Sequence, residues 1–285
     1  MVRRKRLKRL AAAVLLGTVL LALPVQASGN AGQTDEEPIV GGMVSAAQVQ
    51  KGETLKYGFS VQNKLGMCSS HLSCSETVCV IWMSEGGQTI EQNLPYHWRE
   101  RVNGELEITD GMEEGKWKIL SIVFIDPYAS DKLSARQYGL TVSENDENGQ
   151  NVKDDLSFSE FTVQGTKADR KAPVVKKKSM GLTGNTVKKK GKTKLYLKAR
   201  DKSPMRYVIC GWRNTATKDI TYREMNYNKK KERYEYTISA PDFGKKGNLR
   251  LVRVEACDRY GNKTLMKQKK LPKLTVTRSK TKKNG

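Results

Sequence analysis

Apolar and polar residues alternate over many short stretches of this chain. Between Thr54 and Val61 the apolar positions are Leu55, Tyr57, Phe59 and Val61. The same period of two runs through Gly104–Ile108, Lys194–Ala199 and Tyr234–Ile238. A period of two places alternate side chains on one face of a strand. Val78–Met83, Trp117–Ile125, Tyr138–Val142, Phe158–Val163, Arg206–Trp212, Asn248–Ala256 and Leu274–Thr277 are rich in β-branched and aromatic residues and read as further strands. Turn signals separate them: Gly86-Gly87, Asn103-Gly104, Asp110-Gly111 and Tyr260-Gly261-Asn262. After Ala27 no apolar stripe of three helical turns appears. Short strands with Gly- and Asn-rich turns predict an all-β sandwich.

The strands recur in order. Gly115-Lys116-Trp117-Lys118-Ile119 leads to Asp126 as Gly247-Asn248-Leu249-Arg250-Leu251 leads to Asp258, with Gly and Asp eleven residues apart in both. Trp117, Ile119, Ile122 and Phe124 match Leu249, Leu251, Val254 and Ala256, and Tyr128 matches Tyr260. Upstream, Val78–Trp82 matches Tyr207–Trp212, Lys51-Gly52-Glu53-Thr54 matches Lys190-Gly191-Lys192-Thr193, and Pro38-Ile39-Val40 matches Pro173-Val174-Val175. Several matches in one order predict a tandem repeat of about 130 residues.

Charge divides the chain at the same place. It has 285 residues and a formal net charge of +22. Residues 28–166 carry 10 Lys+Arg against 21 Asp+Glu, and residues 167–285 carry 36 against 9. The net values are −11 and +27. The switch falls in Gly165-Thr166-Lys167-Ala168-Asp169-Arg170-Lys171-Ala172-Pro173, small and polar as an interdomain linker is. The expected organisation is a signal peptide over 1–27, a polar disordered stretch over 28–37, an acidic unit over 38–166, a linker over 167–173, a basic unit over 174–277 and a Lys-rich tail over 278–285. The signal peptide has a basic start (Arg3-Arg4-Lys5-Arg6), an apolar stretch Leu10–Leu23 and a small-residue site at Val25-Gln26-Ala27, with cleavage expected after Ala27. No other apolar run is long enough to span a bilayer, so an integral, polytopic membrane protein is excluded. No cysteine follows the apolar stretch as a lipoprotein signal requires, and the tail carries no apolar sorting segment.

The motifs Gly115-Lys-Trp-Lys with Ile122-x-Phe124-x-Asp126, then Ala168-Asp-x-x-Ala172-Pro173, then Arg253-Val-Glu-Ala-Cys-Asp-Arg-Tyr-Gly-Asn262 resemble the tandem immunoglobulin-like domains of secreted bacterial cell-surface proteins of Gram-positive type. The resemblance covers most of residues 38–277. It implies two immunoglobulin-like β-sandwiches in which Val252–Asp258, with Gly261-Asn262, closes the second. It implies little about function, because this fold hosts many. The first unit departs from the pattern: Asp126-Pro127-Tyr128-Ala129-Ser130 lacks the Gly-Asn pair, and an insertion surrounds Cys68–Cys79.

Candidate chemistry is sparse. His71 and His97 are the only histidines, which excludes a multi-His metalloenzyme and leaves a Ser-His-Asp hydrolase few ways to be built. Of the five cysteines, Cys210 and Cys257 lie in two predicted strands. A bridge between them across the sandwich would close a loop of about 47 residues and stabilise by about 4 kcal/mol in the chain-entropy model. Two buried thiols are an equal alternative. Cys68, His71, Cys74 and Cys79 include ligands that zinc accepts, but the spacing is tighter than common zinc motifs and export favours disulfides, so this segment reads as a disulfide-pinned loop. No metal and no cofactor are assigned. Asp126, Asp201 and Asp258 sit at strand ends, where acceptance of turn N–H groups is favoured over calcium, which needs six to eight oxygens. Trp117 reads as core, and Tyr96-His97-Trp98 as packing over a sandwich end.

Lysine is the strongest signal. Lys176, Lys177, Lys178, Lys188, Lys189, Lys190, Lys229, Lys230, Lys231, Lys245 and Lys246 fall in strand ends and loops of the second unit. Lysine is a flexible point charge suited to diffuse binding of phosphate-rich polymers. The expected partners are anionic envelope polymers such as teichoic acids, with anionic lipid or glycosaminoglycan as other polyanions. Specific nucleic-acid recognition is not expected, because no aromatic platform interleaves the lysines. A protein partner or self-association through the acidic unit is a further expectation. The function predicted is non-enzymatic: retention at the cell surface through the basic unit, with the first unit presenting a binding or adhesion surface. The alternatives are a small enzyme or accessory module with a site near Cys68–Cys79 and His97, and a structural spacer.

Overall fold

Alternation along the chain becomes paired sheets. The computed structural model describes residues 39–61, 77–96, 101–125, 140–144, 151–188, 191–243 and 247–278. The expected signal peptide, the stretch 28–37 and residues 279–285 of the expected tail lie outside them, as do Cys68, His71, Cys74, His97, Trp98 and Asp126. The described residues form strands and four short 3-10 turns, with no α-helix. Among them no helix is long and apolar enough to cross a membrane. The chain divides into two compact units, one ending at Asp169 and the other beginning at Arg170.

The first unit runs β1 (Ile39–Val44), β2 (Gln48–Gln50), β3 (Thr54–Val61), β4 (Thr77–Ser84), β5 (Thr89–Pro95), β6 (Arg101–Glu107), β7 (Gly115–Ile125), β8 (Leu140–Ser143), β9 (Asn151–Lys153) and β10 (Phe161–Gln164). One sheet has the order β1-β3-β6; the other has the order β2-β10-β7-β4-β5, with β8 also on β7 and β9 on β8. The second unit runs β11 (Val174–Leu182), β12 (Thr186–Val187), β13 (Lys192–Arg200), β14 (Met205–Asn214), β15 (Ile220–Glu224), β16 (Asn226–Asn228), β17 (Arg233–Ser239), β18 (Leu249–Asp258), β19 (Lys263–Lys267) and β20 (Thr275–Arg278). Its sheets have the orders β11-β13-β17-β16 and β12-β20-β18-β14-β15, with β19 also on β18. The two orders are the same plan, with β16 added at one edge of the second unit and β9 in the first.

The register shows why the repeat has its spacing. Ile119 and Ile122 are three apart, which breaks strict alternation, and so are Leu251 and Val254. In β4–β7 pairing Trp82 opposes Ile119 while Ile81 opposes Ser121, so Leu120 is an extra residue. In β14–β18 pairing Trp212 opposes Leu251 while Gly211 opposes Arg253, so Val252 is extra. A β-bulge of this kind re-aims the strand and lets both flanking sets face inward. Trp117, Ile119, Ile122 and Phe124 are all buried, as are Leu249, Leu251, Val254 and Ala256. Trp82 is fully buried, meets Tyr57 of the other sheet edge-on at 4.8 Å and donates its N–H to Gln92 Oε1 at 3.0 Å. The second core joins Leu195, Leu197 and Ile238 of one sheet to Val208, Trp212, Leu251 and Val254 of the other, which makes it a sandwich. Where one strand was expected over Phe158–Val163, a 3-10 turn occupies Ser157–Ser159 and β10 follows. The buried Ser159 hydroxyl takes the N–H of Ile119 and donates to Leu156, which holds that turn.

The expected linker is ordered where the structure describes it. Gly111 N donates to Lys167 O and Asp169 N donates to Gly111 O, while Gln88 Nε2 reaches Gly111 O and Asp169 O. Residues up to Asp169 therefore belong to the first unit.

Candidate binding face of the second unit

The lysines of the second unit are placed by an irregular edge strand. β11 opens Val174-Val175-Lys176, pairs Lys176 with Lys198 of β13, and next pairs Gly181 with Tyr196. Four residues, Lys177–Met180, thus face one, Leu197. Ser179 holds the bulge: its hydroxyl donates to Lys176 O and accepts the N–H of Lys198. Met180 turns into the core while Lys176, Lys177 and Lys178 are exposed. Lys188, following β12, is exposed too. Lys229, Lys230 and Lys231 form a 3-10 turn after β16, started by the Asn228 side chain accepting from Lys231 N and ended by Glu232 in the left-handed region at φ 46°. All three lysines are exposed. Lys189, Lys190, Lys245 and Lys246 lie outside the described residues.

Pairing of β13, β17 and β16 sets a polar groove next to the Lys229–Lys231 turn. Lys194 on β13 opposes Thr237 on β17, Asn226 on β16 opposes Glu235, and Asn228 opposes Arg233. Lys194, Asn226, Asn228, Glu235 and Thr237, with Tyr227 and Tyr236, line a groove of about 470 Å³. Glu235 is only 8% exposed and gathers cations. Its Oε1 accepts from Arg233 Nε at 2.7 Å and lies 2.7 Å from Arg233 Nη2, its Oε2 accepts from Lys194 Nζ at 3.2 Å, and Lys231 Nζ stands 3.9 Å away. The Arg233 hydrogen bond, with those of Lys194 and Asn228, holds this carboxyl down to about 2. Arg233 also lies over the Tyr196 ring at 4.1 Å, which fixes its plane. Burial pushes the Tyr236 hydroxyl up to about 12, so it is neutral across the physiological range. The arrangement is one carboxylate ordering three cations, next to amides and a hydroxyl that both donate and accept.

The cysteines correct the disulfide expectation. Cys210 and Cys257 are thiols. Their strands, β14 and β18, are neighbours in one sheet, where Cys257 opposes Tyr207 and Cys210 opposes Val254. Tyr207 and Cys210 are three residues apart on an unbroken register, so the two thiols stand on opposite faces of that sheet. Cys210 faces the core and its Sγ donates to Arg223 O at 3.4 Å. Burial pushes it up to about 12. Cys257 is on the other face, where Tyr207 Oη and Arg253 Nη2 both donate to the buried Glu255. Of Cys68, Cys74 and Cys79, Cys79 alone is among the described residues, buried in β4.

The Asp258 turn is structural. Its carboxylate accepts from Tyr260 N, Asn262 N and Asn262 Nδ2, each within 2.9 Å, and Gly261 takes φ +82°. Asp201 likewise accepts from Ser203 N. In the first unit Trp117 is core, with its N–H donated to Glu113 O. Tyr96 packs edge-on against Phe124 at 5.1 Å.

Fold and site together define an all-β chain of two like-ordered units, the second of which bears a cationic face. No family model matches the sequence, and no curated protein matches it. Among solved structures the chain is similar to Cwp6 from Clostridium difficile, at 13% identity and TM-score 0.30, over 36% of this chain and 17% of that one. It is also similar to a tetra-tandem repeat in the extending region of a large adhesion protein, at 10% identity and TM-score 0.24, over 79% of this chain and 46% of the other. The chain spans less than half the length of either.

Proposed function

We propose that this is an exported, non-enzymatic cell-surface protein of two immunoglobulin-like sandwiches. Its basic unit retains it on anionic envelope polymers, and its acidic unit presents a binding or adhesion surface. The observation that carries the reading is the placing of lysine on the second unit. Lys176 and Lys198 stand directly opposite one another across strands, and Lys177, Lys178, Lys188, Lys194 and Lys229–Lys231 are exposed in the same unit. Like charges facing across strands are destabilising, so a face built this way favours a polyanion as counter-charge. The test is capture of the mature chain on purified cell walls, with and without their anionic polymers, across a salt series. Capture that falls steeply with salt and vanishes when the polymers are stripped supports the reading. Salt-independent capture, or none, rejects it.

A further inference from the structure

The groove beside Glu235 offers more than positive charge. We infer that it selects a hydroxyl-bearing polyphosphodiester, a polyol or sugar phosphate, over a polyanion made of phosphate alone. The inference rests on the proposed polyanion binding and names the class of polymer. A phosphodiester oxygen only accepts hydrogen bonds, so a site for bare phosphate needs donors alone. Lys194 lines this groove with the Asn226 amide and the Thr237 hydroxyl, beside a Glu235 carboxylate already engaged by Arg233, Lys194 and Lys231. Glu235 stays ionised at every ordinary pH, because Arg233 and Lys194 hold its proton affinity down. A chain made of phosphate alone meets the cations but offers no donor to the Asn226 carbonyl or the Thr237 hydroxyl, so it gains nothing from them. A chain with a polyol or sugar between phosphates can place charge at the lysines and donate hydroxyls to the Asn226 carbonyl and the Thr237 oxygen. The open groove, of about 470 Å³, leaves room for one such unit.

The test compares the full mature chain with an Asn226→Ala/Thr237→Val double variant, binding poly(glycerol phosphate) and inorganic polyphosphate. Both positions are exposed on strands, so the variant keeps the core. Losing one or two hydrogen bonds predicts an affinity for poly(glycerol phosphate) lower by about tenfold. Binding of polyphosphate and the salt dependence of both stay as in the wild type. A control, Lys176→Met/Lys177→Met, weakens both polymers alike and flattens the salt dependence. Equal loss on both polymers by the double variant, or no loss on poly(glycerol phosphate), overturns the inference while leaving the polyanion reading in place. Failure of the wild type to bind either polymer overturns both.

Discussion

Replacing Glu235 by Gln tests the arrangement at the groove. Gln keeps the shape and one carbonyl acceptor but removes the charge that holds Arg233, Lys194 and Lys231 together. The Arg233 fork is the dominant contact, with two nitrogens 2.7 Å from Oε1 and a side chain only 20% exposed. Hydrogen bonds to charged groups contribute about 1.5–3 kcal/mol, and the neutral replacement keeps roughly half. Lys194 and Lys231 are 46% and 56% exposed, so solvent screens their pairs to about 0.2–1 kcal/mol each at most. The expected loss is about 2 kcal/mol at neutral pH. Its pH dependence has a definite sign. The carboxyl is held at about 2 in the fold against its usual 4.5, so the contribution is whole above 4.5 and fades as pH falls toward 2. Urea unfolding, followed by hydrogen exchange in peptides from β13 and β17, reads the second unit alone. The gap between wild type and E235Q should be widest at pH 7 and narrow steadily below pH 4.5. A gap under about 0.5 kcal/mol at pH 7, or one of equal size at pH 3, would refute the reasoning, since surface pairs alone give so little.

Cys210 and Cys257 should resist a thiol reagent in the native protein and both react after unfolding without reductant; a peptide pair joined through them would contradict the register of β14 and β18. Trp82→Ala should destabilise the first unit by about 3–5 kcal/mol, by the lost ring volume. Calorimetry should show the first unit's transition shifted and the second unit's unchanged; a shift shared by both units would count against separate cores. Gly261→Ala should cost about 1–2 kcal/mol, because an L-residue resists the left-handed region that φ +82° requires. Unchanged thermal stability in that variant would mean that the Asp258 turn relaxes at no cost.

The inward positions were legible because burial enforces alternation, and where alternation broke, at Ile119-Leu120-Ser121-Ile122 and Leu251-Val252-Arg253-Val254, the break was the bulge itself. Strands at sheet edges left no such mark. β11 holds three consecutive lysines and buries only Met180 of its nine residues, and β16 has three residues of which none is buried. β5 carries Gln92, whose polarity hides its role: its Oε1 accepts from both Tyr57 Oη and Trp82 Nε1. The disulfide expectation used the identity of two strands and lacked their register, and an offset of three residues reverses the face. The lysine face could be read from composition. The groove could not, because Lys194 and Glu235 lie 41 residues apart and meet only through β13–β17 pairing.

These contrasts explain how one plan carries two opposite charges. In a strand the inward and outward positions alternate, so the residues that fill the core and those that meet solvent are nearly independent choices. Leu195 and Leu197 pack inside β13 while Lys192, Lys194 and Lys198 stand outside on the same strand. In the first unit the equivalent strand β3 buries Leu55, Tyr57 and Phe59 and leaves Lys56 outside, opposite Glu105. The strand order and the bulge are common to both units, so neither depends on which charges cover the outside. A repeat that needed its outer residues for stability could not move from net −11 to net +27 and keep its topology. The cost of the basic surface falls on like-charge repulsion such as Lys176 against Lys198. Only Glu235 among the residues lining the groove opposes that repulsion from within, and it does so by ordering cations that a bound polyanion would also meet.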